Sequence, residues 1–149
     1  MGGTEKSKAS KAVFFEMKNV MDLINDPNMK EPTYRVEGLL PEEGTSLWAA
    51  KPKVGKSVLL SNLAADVIEG RPFLGRQTYP CDVGFIAFEG SDVVFRCQMQ
   101  RLGVQNTFGT LRFWHSGMLA NLRDRWADIL RETLDKFPDI RLLVIDPIT

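Results

Sequence analysis

Apolar positions along the chain follow two alternating rhythms. Thr45–Ala50 is a compact apolar stretch and predicts a buried strand. In Lys56–Glu69, Val58, Leu59, Leu63 and Val67 recur at helical spacing, and Gly70 supplies a C-terminal stop. Val83–Phe88 predicts a second strand. Ser91 is placed to cap a helix reaching Leu102, with Phe95, Met99 and Leu102 on one face and Gly103 ending it. Leu111–His115 predicts a third strand. Leu122, Trp126, Ile129, Leu130 and Leu134 mark another amphipathic helix. Arg141–Asp146, with the run Leu142–Ile145, predicts the last strand. Strand–helix alternation of this kind predicts an α/β fold, a mainly parallel sheet flanked by helices.

The region before Thr45 reads differently. Residues 1–12 are rich in Gly, Ser, Thr and Lys and predict a disordered tail. Phe14, Met17, Val20, Met21 and Ile24 fit a short amphipathic helix within Val13–Ile24. Asp26-Pro27 and Glu31-Pro32 predict turns, and Tyr34–Leu40 a short extended piece. The organisation is therefore a tail at 1–12, a helix and linker at 13–33, and one domain at 34–149.

Composition narrows the picture modestly. The 149 residues fit one domain, and 19 basic residues balance 19 acidic ones. Zero net charge gives no support for broad attraction to nucleic acid or membrane. No apolar run approaches the ~20 residues of a membrane helix. The two cysteines, Cys81 and Cys97, read as reduced thiols, and a cytoplasmic location is expected.

The chemistry concentrates between the first predicted strand and helix. A P-loop follows G-x-x-x-x-G-K-[ST], and the chain matches at Gly55, Lys56 and Ser57 but carries Ala50 where the first glycine belongs. Backbone N–H groups at a helix N-terminus form a concave anion site. Gly55 lets the backbone approach phosphate, Lys56 sets a cation on the β and γ oxygens, and Ser57 can hold Mg²⁺. The expected nucleotide-binding set is Ala50, Lys51, Pro52, Lys53, Val54, Gly55, Lys56, Ser57 and Val58. Alanine resists positive φ, so Ala50 must adopt an ordinary backbone conformation. Asp146, ending the last strand, is placed to hold Mg²⁺ through water, although Asp-Pro is also an ordinary turn. Glu89, ending the Val83–Phe88 strand, is placed to activate a water, or else only complements the following helix dipole. His115, the sole histidine, reads as structural. Trp48, Trp114 and Trp126 read as core.

An ordered set of segments carries a resemblance. It comprises Lys51–Ser57, Gly70-Arg71-Pro72-Phe73-Leu74-Gly75, Phe88-Glu89-Gly90, Arg101-Leu102 and Leu143-Val144-Ile145-Asp146-Pro147. From Tyr34 to Thr149 the chain resembles the RecA-like AAA-family ATPases of plasmids and phages, the group of RepA-type hexameric replicative helicases. The resemblance implies a RecA fold, ATP with Mg²⁺, a homo-oligomeric ring and single-stranded DNA as a partner. By position it implies Lys56 and Glu89 in catalysis, Glu89 as the base, and Ser57 and Asp146 at the metal. Family domains continue well past the Walker B strand, so the chain, ending three residues after Asp146, reads as a truncated member or fragment. Three functions compete: a helicase-type ATPase, a nucleotide-binding or interaction module without turnover, and another P-loop enzyme such as a small-molecule kinase.

Overall fold

A computed structural model describes residues 18–115 and 126–146. The predicted tail at 1–12, the start of the first helix and Leu122 of the last helix lie outside those residues. The chain divides into two compact units, Met1–Glu31 and Pro32–Thr149. In the first, the only described helix is α1, Val20–Ile24, capped by the Asn19 side chain, which accepts from the Met21 N–H at 2.9 Å. None of its residues is buried.

The second unit holds the core. The predicted extended piece at Tyr34–Leu40 is a small antiparallel hairpin, β1 (Tyr34–Val36) and β2 (Leu40–Pro41). Helix α2 (Lys56–Glu69) follows, ended by Gly70 in the left-handed conformation that the sequence called for. Then come β3 (Asp82–Ala87), α3 (Asp92–Arg101), β4 (Leu111–His115), α4 (Trp126–Lys136) and β5 (Ile140–Asp146). The three long strands form one parallel sheet in the order β4-β3-β5. β3 is central and buried from Val83 to Ala87, as a strand covered on both faces must be. On one face, Val83, Phe85 and Val144 pack with Leu63, Ala64, Val67 and Ile68 of α2. Phe95 of α3 joins there, its ring 5.0 Å from Phe85 and stacked at 3.8 Å on Phe113. The opposite face carries Arg112, whose guanidinium lies 4.6 Å over the ring of Phe137 just beyond α4.

One predicted strand is not there. Thr45–Ala50 forms no strand among the described residues, and Leu47 is 81% exposed. Its composition suits a buried strand, but a strand exists only when a neighbour completes its ladder. The face of α2 shifts accordingly. Leu63 and Val67 are buried as expected, whereas Val58 and Leu59 in its first turn stand exposed.

The segment after α2 is a tight clamp. Arg71 donates to Asp66 Oδ1 at 3.0 Å and to the Leu102 carbonyl at 2.9 Å, tying the ends of α2 and α3 together. Phe73 and Arg76 exchange both backbone hydrogen bonds at 2.9 Å around a two-residue turn. Both turn residues have positive φ, Leu74 at 51° and Gly75 at 75°. Glycine adopts that conformation freely. Leucine does so at a cost of about 1 kcal/mol. Leu74 is also 65% exposed, so its side chain offsets little of that strain. Leu74→Asn is therefore expected to raise stability by about 0.5–1 kcal/mol, since Asn-Gly suits this turn. A melting temperature equal to or below that of the unmodified chain would contradict it.

Candidate phosphate-binding site

The start of α2 has the construction of an anion cradle. Its N-cap is Gly55, at φ 93° and ψ 18°, and no side chain caps the helix. The Leu59 N–H makes the first helical bond, to the Gly55 carbonyl at 2.9 Å. The N–H groups of Lys56, Ser57 and Val58 precede it and need partners from outside the helix. Lys53 also has positive φ, 64°, uncommon for a residue with a side chain and a frequent mark of a functional loop. A methyl group built on Gly55 would meet nothing within 4 Å, so the cradle faces open space. Ala50 is absent from the positive-φ residues, as its side chain requires. Lys51, Pro52, Lys53, Val54 and Ser57 are exposed and Lys56 is half-buried. Beside the loop lies a 520 Å³ groove lined by Trp48, Ala50, Val54, Lys56, Val58 and Asn62, among others.

The other candidates meet at the carboxyl edge of the sheet. Register pairs Ala87 with both His115 and Asp146. The Phe88 N–H donates to the Asp146 carbonyl at 2.8 Å, which puts Glu89 immediately beyond that level. The orientation of α2 follows from its far end. The Ile68 carbonyl accepts from Phe108 and Gly109, at 3.0 and 3.1 Å, just before β4 begins. The C-terminus of α2 is thus at the amino edge of the sheet. Fourteen helical residues span about 21 Å and the six of β3 about 20 Å. Helix α2 packs on this sheet through Leu63, Ala64, Val67 and Ile68, so its N-terminus points toward the carboxyl edge, the edge that carries Glu89 and Asp146.

Asp146 is 5% exposed, and its Oδ1 is buried with no hydrogen-bond partner among the described residues. A buried carboxylate oxygen left alone is costly and points to an external partner. Glu89 is exposed, in a turn held at both ends. On one side β3 is paired. On the other, Ser91 caps α3, its Oγ accepting from the Val94 N–H at 3.3 Å. His115, read as structural, has its Nδ1 3.0 Å from Asp92 Oδ1 and so fastens the end of β4 to the first turn of α3.

Sequence reasoning missed two features here. One is the His115–Asp92 pair, which no local spacing signals. The other is the stack of Trp48 on Phe73, with ring centroids 6.1 Å apart and planes at 24°. The only advance sign of it was Phe73 lying in the Gly70–Gly75 segment.

The sequence profile of a family described as an AAA domain matches residues 14–149, nearly the whole chain. The chain belongs to the AAA domain family. No curated protein and no solved structure matches it. An AAA domain is a nucleotide-binding, P-loop ATPase unit, and such ATPases generally bind ATP with Mg²⁺. The residues present fit that pair: an uncapped helix N-terminus for phosphate and, for a hydrated cation, a buried carboxylate with one oxygen unpartnered among the described residues. Among the described residues no cluster of three His, Cys, Asp or Glu side chains could cage a metal by itself. Mg²⁺ ordinarily needs only one or two protein ligands beside water and phosphate. No helix among the described residues of this AAA domain is long and apolar enough to cross a membrane.

Proposed function

We propose that this AAA domain is a RecA-like ATPase core of the plasmid and phage kind, in the group of RepA-type hexameric replicative helicases. In that role it acts as a homo-oligomeric ring, coupling ATP hydrolysis to single-stranded DNA in replication or unwinding. What supports the nucleotide reading is the uncapped N-terminus of α2, which points toward the sheet edge that carries Glu89 and Asp146, whose Oδ1 is buried without a partner among the described residues. The N–H groups of Lys56, Ser57 and Val58 hold the phosphates, and the Lys56 ammonium neutralises the β and γ oxygens. Ser57 Oγ and, through water, Asp146 are the residues that would hold Mg²⁺, which supplies charge neutralisation to the transferring phosphoryl group. Glu89 orients the attacking water and takes its proton.

A second reading is favoured by one observation. Thr45–Ala50, which leads into the phosphate loop, lacks a strand partner among the described residues. A loop held on one side only fits a domain that binds nucleotide without turning it over. The readings divide on steady-state turnover with and without single-stranded DNA. Both require binding. Lys56→Ala is expected to weaken Mg·ADP by at least tenfold, about 1.4 kcal/mol. Equal affinities of the two chains by calorimetry would remove both readings.

A further inference from the structure

The phosphate loop is approached by a segment with no ladder hydrogen bonds to hold it. Of Thr45–Ala50, only Trp48 is withdrawn from solvent. Its ring packs against the core, and its aromatic contact there is Phe73. Phe73 is 1% exposed and does not move freely. Its backbone is fixed to Arg76 by the exchanged bonds of the turn, and the preceding Arg71 is anchored to Asp66 and to the Leu102 carbonyl. Trp48 also lines the groove with Gly55 and Lys56. An anchored ring thus packs against the one side chain of Thr45–Ala50 that is withdrawn from solvent ahead of the cradle.

We propose that Phe73, acting through Trp48, is a positioning residue for the phosphate loop. The inference rests on the nucleotide reading of that loop. Stacked rings resist sliding and tilting, so the pair fixes where residues 48–55 stand before a ligand arrives. A loop ordered in advance loses less freedom on binding and binds more tightly. This gives the Gly70–Gly75 segment a task in nucleotide binding although none of its residues lines the groove.

The test uses the full chain, Mg·ADP calorimetry and thermal melting. Phe73→Leu and Trp48→Leu are each expected to weaken Mg·ADP about fivefold. The double variant should be no weaker than either alone, because both remove one stack. Trp48→Phe keeps an aromatic ring and is expected to restore most of the affinity. Val83→Ala, in the buried centre of β3, controls for general destabilisation. It should lower the melting temperature without the fivefold loss. Additive losses in the double variant, or an equal loss in Val83→Ala, would overturn the proposal. If Phe73→Leu does not fold, the comparison of Trp48→Leu with Trp48→Phe decides alone: equal affinities overturn the proposal and a fivefold gap supports it. Failure of the unmodified chain to bind Mg·ADP would remove this inference and the nucleotide reading together. Binding that is weakened by Lys56→Ala but not by Trp48→Leu would remove this inference only.

Discussion

Glu89→Gln is expected to leave Mg·ATP affinity within about twofold and to lower turnover by about 10²–10⁴, the usual worth of a general base. The substitution keeps the shape and removes the proton acceptor. Glu89 lies one residue beyond Phe88, whose N–H is bonded to the strand carrying Asp146, so its backbone position is set by the sheet. Gly90 follows at φ 100°, then Ser91 caps α3, and His115 pairs with Asp92. The carboxylate is thus carried on a short turn braced by β3, β4 and α3. Glutamine there should be held equally well, so a loss of turnover would report chemistry rather than folding. The alternative assignment, a carboxylate that only complements the dipole of α3, predicts a different result: a small drop in stability and unchanged turnover. Turnover is to be measured with single-stranded DNA present, beside binding by calorimetry. Unchanged turnover in Glu89→Gln would assign the base elsewhere. A parallel loss of binding and turnover would mean that Glu89 holds the ligand instead.

The alternation of strand and helix was legible because β3, α2, α3 and β5 each carry a local pattern that their packing also wants. Gly70 and Ser91 mark their helix ends by chemistry that works over four residues, and they do so in the structure as in the sequence. Asp146 and Glu89 were placed at one edge by the same logic, since parallel strands bring all their carboxyl ends together. Thr45–Ala50 shows where local pattern stops. Its apolar character says that it suits a sheet, not that a neighbouring strand is present to pair with it. The error carries into α2, whose first turn leaves Val58 and Leu59 exposed beside that segment. The Trp48–Phe73 stack was illegible for a related reason. It joins residues 25 positions apart through a turn that needs positive φ at a leucine, which propensity argues against.

Gly109→Ala is expected to destabilise the domain by about 3 kcal/mol, as overpacking against a rigid neighbour does, and to lower the melting temperature by roughly 10 °C. A Cβ there would lie 2.2 Å from the Cys81 carbonyl oxygen and 2.7 Å from its carbon. The obstacle is backbone, and it cannot rotate aside. Several bonds remove the remaining slack at this junction. The Gly109 N–H donates to the Ile68 carbonyl at 3.1 Å, the Thr110 N–H to Asp82 Oδ1 at 2.8 Å, and the Val83 N–H to the Thr110 carbonyl at 2.9 Å. Just upstream, the Glu69 carboxylate accepts from the amides of Gln105 and Asn106, at 2.6 and 2.8 Å, and from the Thr107 hydroxyl. Partial burial pulls the Glu69 pKa up, but those donors outweigh it and hold the pKa below its ordinary value. The loop is therefore pinned at α2 while Gly109 passes over the start of β3. Moving it would unseat the C-terminus of α2, the end that sets which sheet edge the phosphate loop faces. Gly84→Ala provides the contrast. Its Cβ would approach only the Leu143 and Ile140 methyl groups, at 2.8 and 3.2 Å, the far ends of flexible side chains. Rotamer shifts can relieve that crowding, so Gly84→Ala should cost well under half as much. Thermal melting of the two variants decides the matter. Gly109→Ala melting within about 1 °C of the unmodified chain, a few tenths of a kcal/mol, would show that the β3 and β4 starts are not pressed together as described.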